Sequence, residues 1–491
     1  MTPSDWMRLA PIGIPAAGSV LVILADALTG KRALSVLLGV LSLAAAFASL
    51  FKGAVVSATE PIAGGRFAAE LFGLDFSAAF LTGAAILFAL GALALSRGYL
   101  APEEDEFPSE MVALLLLIPA GVGMVAGARH FLMLFLGIEL LSIPLYILVA
   151  MRRRREAAVE GALKYFLLGA FAAGFLLYGM SLLFAEGHTL RLDQLRGIGG
   201  QSTVGLVGVA LVLVGLLFKI SAAPFHFWTP DAYEGAATPV TALMASATKV
   251  AAVAALLRVL PLLPASSAPV LAALAVLTMA AGNLGALLQD RVKRMLAYSS
   301  VSHAGTLVLG FAAERAASSG SAAADLSQAV WSASSFYLAV YGASAIGAFG
   351  VIAMLERRTA GDSGERFQLL SDFRGLVRRR PLLAWLLVFF LLSMAGIPPT
   401  GGFWAKYLVF AATVRADLIG WAIAGVLLSV VGAAFYLRLV GALILAPVED
   451  ERRFDDAGTA PFASLATALA AAAVVMVLGF APSRLLDVFA L

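Results

Sequence analysis

FKISAAPFHFWTP, residues 218–230, ends a long apolar run and interrupts it. Pro224 and Pro230 lack an amide donor, and a proline ring clashes with the carbonyl of the preceding turn, so a helix cannot run through this stretch undisturbed. A helix that stops at membrane depth leaves carbonyls that lipid cannot satisfy. Such backbone survives only where protein or a wet cavity supplies partners. Lys219 lies five residues before Pro224. A second stretch of the same kind, AGIPPTGGFWAK at 395–406, ends on Lys406. Two Gly/Pro-interrupted spans in corresponding positions are the pattern of paired structural repeats around a transport path.

The remainder of the 491 residues agrees with a membrane setting. The chain is 61% hydrophobic and 13% charged, against about 25% charged in soluble domains. A spanning helix needs about 20 apolar residues. That template predicts an all-α polytopic membrane protein with fourteen spans, near 10–28, 33–51, 76–96, 109–127, 131–151, 161–185, 203–223, 236–260, 264–288, 294–312, 325–355, 382–411, 416–445 and 460–485. The first run follows Asp5 and Arg8 rather than a basic segment, so it reads as a retained helix and not a cleaved signal. Breakers such as Ala101-Pro102 and the run 318–321 separate spans, and no stretch is long enough for a soluble domain.

The breaks lie in spans seven and twelve, five apart. This places a first repeat over spans 4–8 (109–260) and a second over spans 9–13 (264–445), each with one broken helix. A three-helix segment (1–108) precedes them, and a loop with span fourteen (446–491) follows. Five is odd, so successive repeats are expected to be inverted in the membrane. The two halves are not visibly alike in sequence, and the division rests on the placement of the breaks.

Lys and Arg concentrate in loops on one side: Lys31-Arg32, Arg152–Arg155, Arg291 with Lys293-Arg294, Arg378–Arg380 and Arg452-Arg453. By the positive-inside rule that side is cytoplasmic, and both termini are periplasmic in a bacterial inner membrane. These basic runs set topology and touch lipid headgroups; the net charge of +3 does not point to nucleic acid.

Four charges stand inside apolar runs: Glu139, Lys219, Lys249 and Lys406. Each costs about 2.5–3.5 kcal/mol at the bilayer centre, roughly 10–14 kcal/mol together, a cost that leucine would avoid. Low-dielectric burial also disfavours the protonated form of an amine, which lets such a group exchange a proton. Glu139, in FLGIELLSIPLY (135–146), is mid-span, and Lys219 is its best partner. The pair is read either as a switch or as a static ion pair that specifies helix packing. Lys249, in ALMASATKVAAV (242–253), is too deep to reach either interface easily. Lys406 follows the second break and is the natural end of a relay, or else snorkels from a tilted span. His303, in span ten, is either a relay member or a satisfied core histidine. His226 is expected to make structural hydrogen bonds beside the first break. His130 and His188 fall at span ends. Lys164 starts span six and can snorkel, and Asp231 with Glu234 brace the turn after Pro230.

Other chemistries find no support. There is no cysteine, hence no disulfide, cysteine-ligated iron–sulfur cluster or thiol catalysis in this chain. No His/Asp/Glu spacing suits a metal, GIGGQ (197–201) lacks the strand–helix context of a dinucleotide fingerprint, and there is no P-loop. No cofactor is expected in this chain. It therefore carries no energy source of its own and either exchanges ions against a gradient or is driven by a partner.

KISAAPFHFWTPDAYEGA (219–236), KRMLAYSSVSHAG (293–305) and LLSMAGIPPTGGFWAKY (391–407) resemble the signature blocks of antiporter-like subunits of respiratory complex I and of Mrp-type antiporters. Within that superfamily, ALKYFLLGAFAAGFLLYG (162–179) and the FLGIELLSIPLY block are similar to the N-subunit family of NADH:quinone oxidoreductase. The resemblance covers nearly the whole chain. It implies fourteen helices with inverted five-helix repeats and a proton-translocating subunit whose electron transfer from NADH to quinone happens in partner subunits. It also implies an ion pair of Glu139 with Lys219 that gates proton uptake, Lys249 as connecting lysine and Lys406 as exit residue. The implied partners are the other membrane-arm subunits, among them antiporter-like subunit M and small subunits including K, together with membrane lipid and protons. Subunit M carries glutamate where Lys406 stands, which argues against M. LLSVVGAAFYLRLV (427–440) is poorer in Ser, Asn and Tyr than is common in the family, so a sparser polar lining is expected there. Rival readings are a subunit of a multi-subunit Na⁺/H⁺ antiporter, which needs no redox partner, a solute transporter, and a purely structural subunit.

Overall fold

The computed structural model describes residues 3–59, 70–97, 99, 109–152, 155–317, 321–356, 367–445 and 461–490. Arg153, Arg154, Arg452 and Arg453, the Ala101-Pro102 breaker and residues 318–320 lie outside them. The described residues are mainly helical: α1 Pro3–Thr29, α2 Arg32–Thr59, α3 Phe76–Ser96, α4 Ser109–Ala126, α5 Phe131–Ala150, α6 Glu156–Gly187, α7 Thr203–Ile220, α8 Trp228–Gly235, α9 Thr238–Val259, α10 Ala268–Leu287, α11 Val292–Ala316, α12 Ser321–Leu355, α13 Pro381–Ala395, α14 Gly401–Arg415, α15 Ile419–Ile444 and α16 Phe462–Phe480.

Among the described residues, twelve helices are long and apolar enough to cross a membrane, against fourteen expected. The difference has two causes. Span ten became α11, a 25-residue helix whose Lys293, Arg294, serines and His303 make it too polar to count, although it is long enough. Span twelve divides into α13 and α14, of 15 residues each. At 1.5 Å per residue each half covers about 22 Å, less than the hydrocarbon thickness of about 30 Å.

Burial sorts the helices. The α9 helix is buried along its whole length and α12 almost so. The α9 sequence is rich in Ala, Ser and Thr, and small side chains let α3, α4, α5, α7 and α12 approach it closely. Lys249 is thereby held at the centre of the molecule. By contrast α6 leaves Leu163, Phe166, Phe171, Phe175 and Tyr178 exposed. A helix apolar on all sides can present such a face to lipid. Where α6 meets α7 the contact is as close as backbone allows, since a Cβ on Gly179 would overlap the Gly208 carbonyl and Val212 amide.

Both expected breaks are present. The α7 helix stops at Ile220, and residues 221–227 turn before α8; α13 stops at Ala395, and residues 396–400 turn before α14. Each turn contains a cis peptide bond before proline, at Ala223-Pro224 and Pro398-Pro399.

Candidate functional site

At the first break Ser221 adopts the left-handed conformation, φ +68°, and the chain ties off the helix end. The Ser221 amide donates to the Phe218 carbonyl (3.0 Å) and the Ala222 amide to that of Leu217 (2.9 Å). The Ile220 carbonyl, which the next helical turn would have used, accepts instead from Lys249 Nζ at 2.5 Å. The same ammonium donates to Ser221 Oγ at 3.0 Å. Lys249 is 2% exposed. An ammonium is tolerable here because the C-terminal end of a helix carries partial negative charge, and the break puts that end inside the protein.

The second break repeats this arrangement. Gly396 is left-handed at φ +86°; its amide donates to the Ser393 carbonyl (2.9 Å), and the Ile397 amide donates to that of Leu392 (3.0 Å). The Ala395 carbonyl accepts from Lys406 Nζ at 2.9 Å. One offset of 175 residues (396 less 221) relates these positions. It also carries Pro224 onto Pro399, and the Ile220 carbonyl onto that of Ala395. The same freed carbonyl receives a lysine ammonium at each break.

Lys219 occupies the last turn of α7 and is 4% exposed. Among the described residues its Nζ makes no hydrogen bond. It lies over the rings of Tyr165 (5.5 Å), Tyr146 (5.8 Å) and Phe218 (6.0 Å), whose negative faces attract a cation. Tyr165 in turn stacks on Trp228 at 4.2 Å, and Trp228 Nε1 donates to the Phe218 carbonyl at 3.1 Å. Glu139 is half-buried on α5 and interacts with Lys219 through space, with no direct ion pair between them among the described contacts.

His303 sits on α11 and is 6% exposed. Its Nδ1 is bonded to Tyr337 Oη at 2.6 Å and its Nε2 to Tyr436 Oη at 3.0 Å. Tyr436 is also bonded to Ser299, and the Tyr341 ring lies 4.5 Å from the imidazole. Both Lys249 and Lys406 are near enough to act on His303 electrostatically. The structure thus gathers Lys249, His303 and Lys406 around the two breaks, with Lys219 and Glu139 to one side.

Several features were not singled out in the sequence. Tyr337 on α12 and Tyr436 on α15 complete the histidine's bonding, so the segment 427–440 supplies a polar group after all. For Tyr436 the signal was a hydroxyl in an apolar run; Tyr337 stands among Ser332, Ser334, Ser335 and Tyr341, which give it no distinct signal. Lys293, grouped with the basic loop residues, is 4% exposed and donates to the Ala236 carbonyl at 2.7 Å. His226 departs from expectation: its ring stacks on Phe227 at 4.6 Å, but its buried Nδ1 has no hydrogen-bond partner. His130 Nδ1 caps α5 at the Leu132 amide, and His188 ends α6 in the left-handed conformation. Both are helix-end roles.

The short α8 is clamped by ion pairs. Asp231 accepts from Lys164 of α6 at 2.7 Å and from Arg294 of α11; Glu234 meets Arg294 at 3.1 Å and Arg291 at 2.9 Å. Burial pushes the Asp231 carboxyl up, but hydrogen bonds from Lys164 and Arg294 outweigh it and hold it below the usual carboxylate range. Among the described residues no cluster of three or more His, Asp or Glu could hold a metal.

A family profile described as "NADH:quinone oxidoreductase/Mrp antiporter, TM" matches residues 128–432. The chain is 37% identical to NADH-quinone oxidoreductase subunit N 1 of Chloroherpeton thalassium, over 98% of this chain and 97% of that one. It is also 37% identical to subunit N of Myxococcus xanthus, over 98% and 96%. Among solved structures it superposes on a chain of respiratory complex I from Thermus thermophilus with bound aureothin, with TM-score 0.80, 35% identity, and 97% and 98% coverage. A chain of the Mrp complex from a Dietzia species has TM-score 0.83 at 23% identity, covering 100% and 96%, a likeness of fold alone. The chain belongs to the subunit N family of NADH-quinone oxidoreductase, whose members are antiporter-like membrane subunits of that complex.

Proposed function

We propose that this subunit N family member moves protons across the membrane through Glu139, Lys219, Lys249, His303 and Lys406, driven by electron transfer from NADH to quinone in partner subunits. The observation that carries the reading is His303. It is bonded on both nitrogens to hydroxyls and lies within electrostatic reach of two lysines, each of which caps the open end of a broken helix. A lysine in that position has a second stable state. When it loses its proton, the neutral amine holds the capped carbonyl more weakly, and the break supplies room for rearrangement. Lys219, without a hydrogen bond, depends on aromatic faces and the distant Glu139 carboxylate. A change in the position or charge of Glu139 therefore alters its proton affinity more than it would for a fully bonded ammonium.

In this reading the inverted repeats cover 109–260 and 264–445. The shared offset of the two breaks supports that division. Fourteen passes are reached by counting α11 as one and the α13–α14 pair as one, with both termini periplasmic. The partners are the remaining membrane-arm subunits, subunit M and the small subunit K among them. No cofactor binds this chain. The reading as a subunit of a Na⁺/H⁺ antiporter uses the same residues and the same fold; what favours the oxidoreductase is the identity near 37% to subunit N over almost the full length.

The test is made in the intact complex. Lys219→Ala and Glu139→Ala should each lose most NADH-driven proton translocation while the subunits still co-purify. A normal proton yield in either assembled variant removes the relay.

A further inference from the structure

At the arginine-rich end of the bundle a second polar cluster surrounds Glu356, the residue after α12. It is 9% exposed. Its Oε2 accepts from Tyr99 Oη at 3.0 Å and from Thr238 Oγ1, while its buried Oε1 has no hydrogen-bond partner among the described residues. Arg152 Nη1 approaches the same Tyr99 hydroxyl at 3.5 Å. Lys293 interacts electrostatically with Glu356 without a direct ion pair among the described contacts. A carboxylate and an ammonium, both more than nine-tenths buried, thus sit near each other unbridged. A purely structural pair recovers its desolvation cost by direct contact and by satisfying every oxygen; this one does neither.

The cluster leads inward. Lys293, Ser300 and His303 are spaced seven and three residues apart on α11, so they share one face of that helix. Lys293 to Ser300 is about 10 Å of helix rise, and Ser300 to His303 about 4.5 Å. The intermediate groups are polar. Ser300 Oγ is 3.4 Å from Tyr233 Oη, and the Tyr341 ring lies against His303. Thr238, which bonds Glu356, begins the helix that carries Lys249.

We infer that Glu356 is the proton-loading group for the Lys249–His303 centre, with Lys293 as its immediate acceptor. The step is a proton transfer without electron change. An O–H bond forms on Glu356 Oε1 as a hydronium from the arginine-rich face returns to water. It breaks when the proton passes to Lys293 after that residue has given its own proton inward to the Lys249–His303 centre, which restores the carboxylate and the ammonium. The inference rests on the relay proposed above and adds where that relay is loaded.

The experiment compares Glu356→Gln, Glu356→Asp and Lys293→Met with Lys219→Ala in the intact complex, in sealed vesicles. NADH oxidation, proton translocation per NADH and co-purification of subunits are measured together. Gln keeps the shape and accepts from Tyr99 and Thr238 but cannot exchange a proton. Glu356→Gln and Lys293→Met should lower proton translocation about a hundredfold or more, the low side of what loss of a proton-transfer group costs, and Glu356→Asp should retain most of it. An assembled Glu356→Gln complex with unchanged proton yield overturns the inference, as does an Asp variant that pumps no better than the Gln variant. If Glu356→Gln does not assemble, assembled Lys293→Met with an unchanged yield overturns it equally. Normal pumping by Lys219→Ala would instead remove the underlying relay, whatever Glu356 does.

Discussion

The two broken helices use the same backbone and differ in what they attach to it. At both, a left-handed residue closes the first half-helix, a proline follows three residues later, and a lysine occupies the freed carbonyl. At the first break that lysine, Lys249, comes from α9. At the second, Lys406 comes from the continuing half-helix α14 itself. The first break also carries Lys219, where the offset places Met394 in the second. The first is therefore tied to other helices, to aromatic rings and to Glu139. The second draws its cation from its own continuing half-helix and packs against α16, where the Gly479 carbonyl accepts from Trp404 Nε1 at 2.9 Å. One scaffold can thus serve as a point that responds to neighbours and as a point that holds its own cation.

The sharpest way to break this comparison is at the pair of residues the offset equates at the start of each second half-helix, Gly402 and Phe227. A Cβ on Gly402 would stand where the Ser393 carbonyl is, and backbone cannot give way. The equivalent residue at the first break is Phe227, 67% exposed. Gly402→Ala should cost more than about 4 kcal/mol, in the range reserved for severe core lesions, and Phe227→Ala less than about 1 kcal/mol. Retention of the subunit in the purified complex on heating measures both. Similar melting of the two variants would show that the breaks are packed alike.

The next effect concerns the capping lysines. Lys249→Met removes two hydrogen bonds between α9 and the end of α7 and should cost about 2–3 kcal/mol, the upper part of the range for leaving buried groups unsatisfied. Lys406→Met removes one bond inside a single turn and should cost about 1 kcal/mol. Equal losses would mean that Lys249 does not tie the break to its neighbour.

The smallest expected effect is at the clamp on α8, which only the first break has. The Asp231 carboxyl is held below its usual range in the fold, so its contribution is complete above the unfolded value of about 3.9. That contribution is lost as pH falls through the lower folded value. Asp231→Asn should cost at most about 1 kcal/mol at neutral pH, because the Lys164 side chain is 44% exposed. It should also flatten the acid limb of the stability profile between pH 4 and the wild-type folded value. An unchanged acid limb would remove Asp231 from the clamp.

Much of this was legible in the residues. Pro224, Pro399 and the lysines beside them located both breaks, because proline's missing donor and a charge in an apolar run are local facts. Span lengths were legible wherever the run was uniformly apolar. The span of α11 was legible too, expected over 294–312 and found at Val292–Ala316, since a helix packed among protein can be polar without ceasing to be a helix; those of α13 and α14 were not, each being too short to cross alone. Lys293 was read as a loop charge because its sequence neighbours are arginines; its burial depends on α8 and α12 closing over it. His226 lost its expected bonding because the turn aimed its ring at Phe227 instead of at an acceptor.

The sequence by itself determined that the chain is a helical membrane protein, that two of its helices are interrupted, and which residues bear charge inside it. Composition, proline chemistry and the cost of burying charge are enough for that. Only the tertiary structure decided which carbonyl each lysine holds, that Tyr337 and Tyr436 complete His303, and that Glu356 and Lys293 face each other unbridged. Those relations join residues from 11 to 133 positions apart, and no local pattern encodes a contact that forms only when separate helices pack.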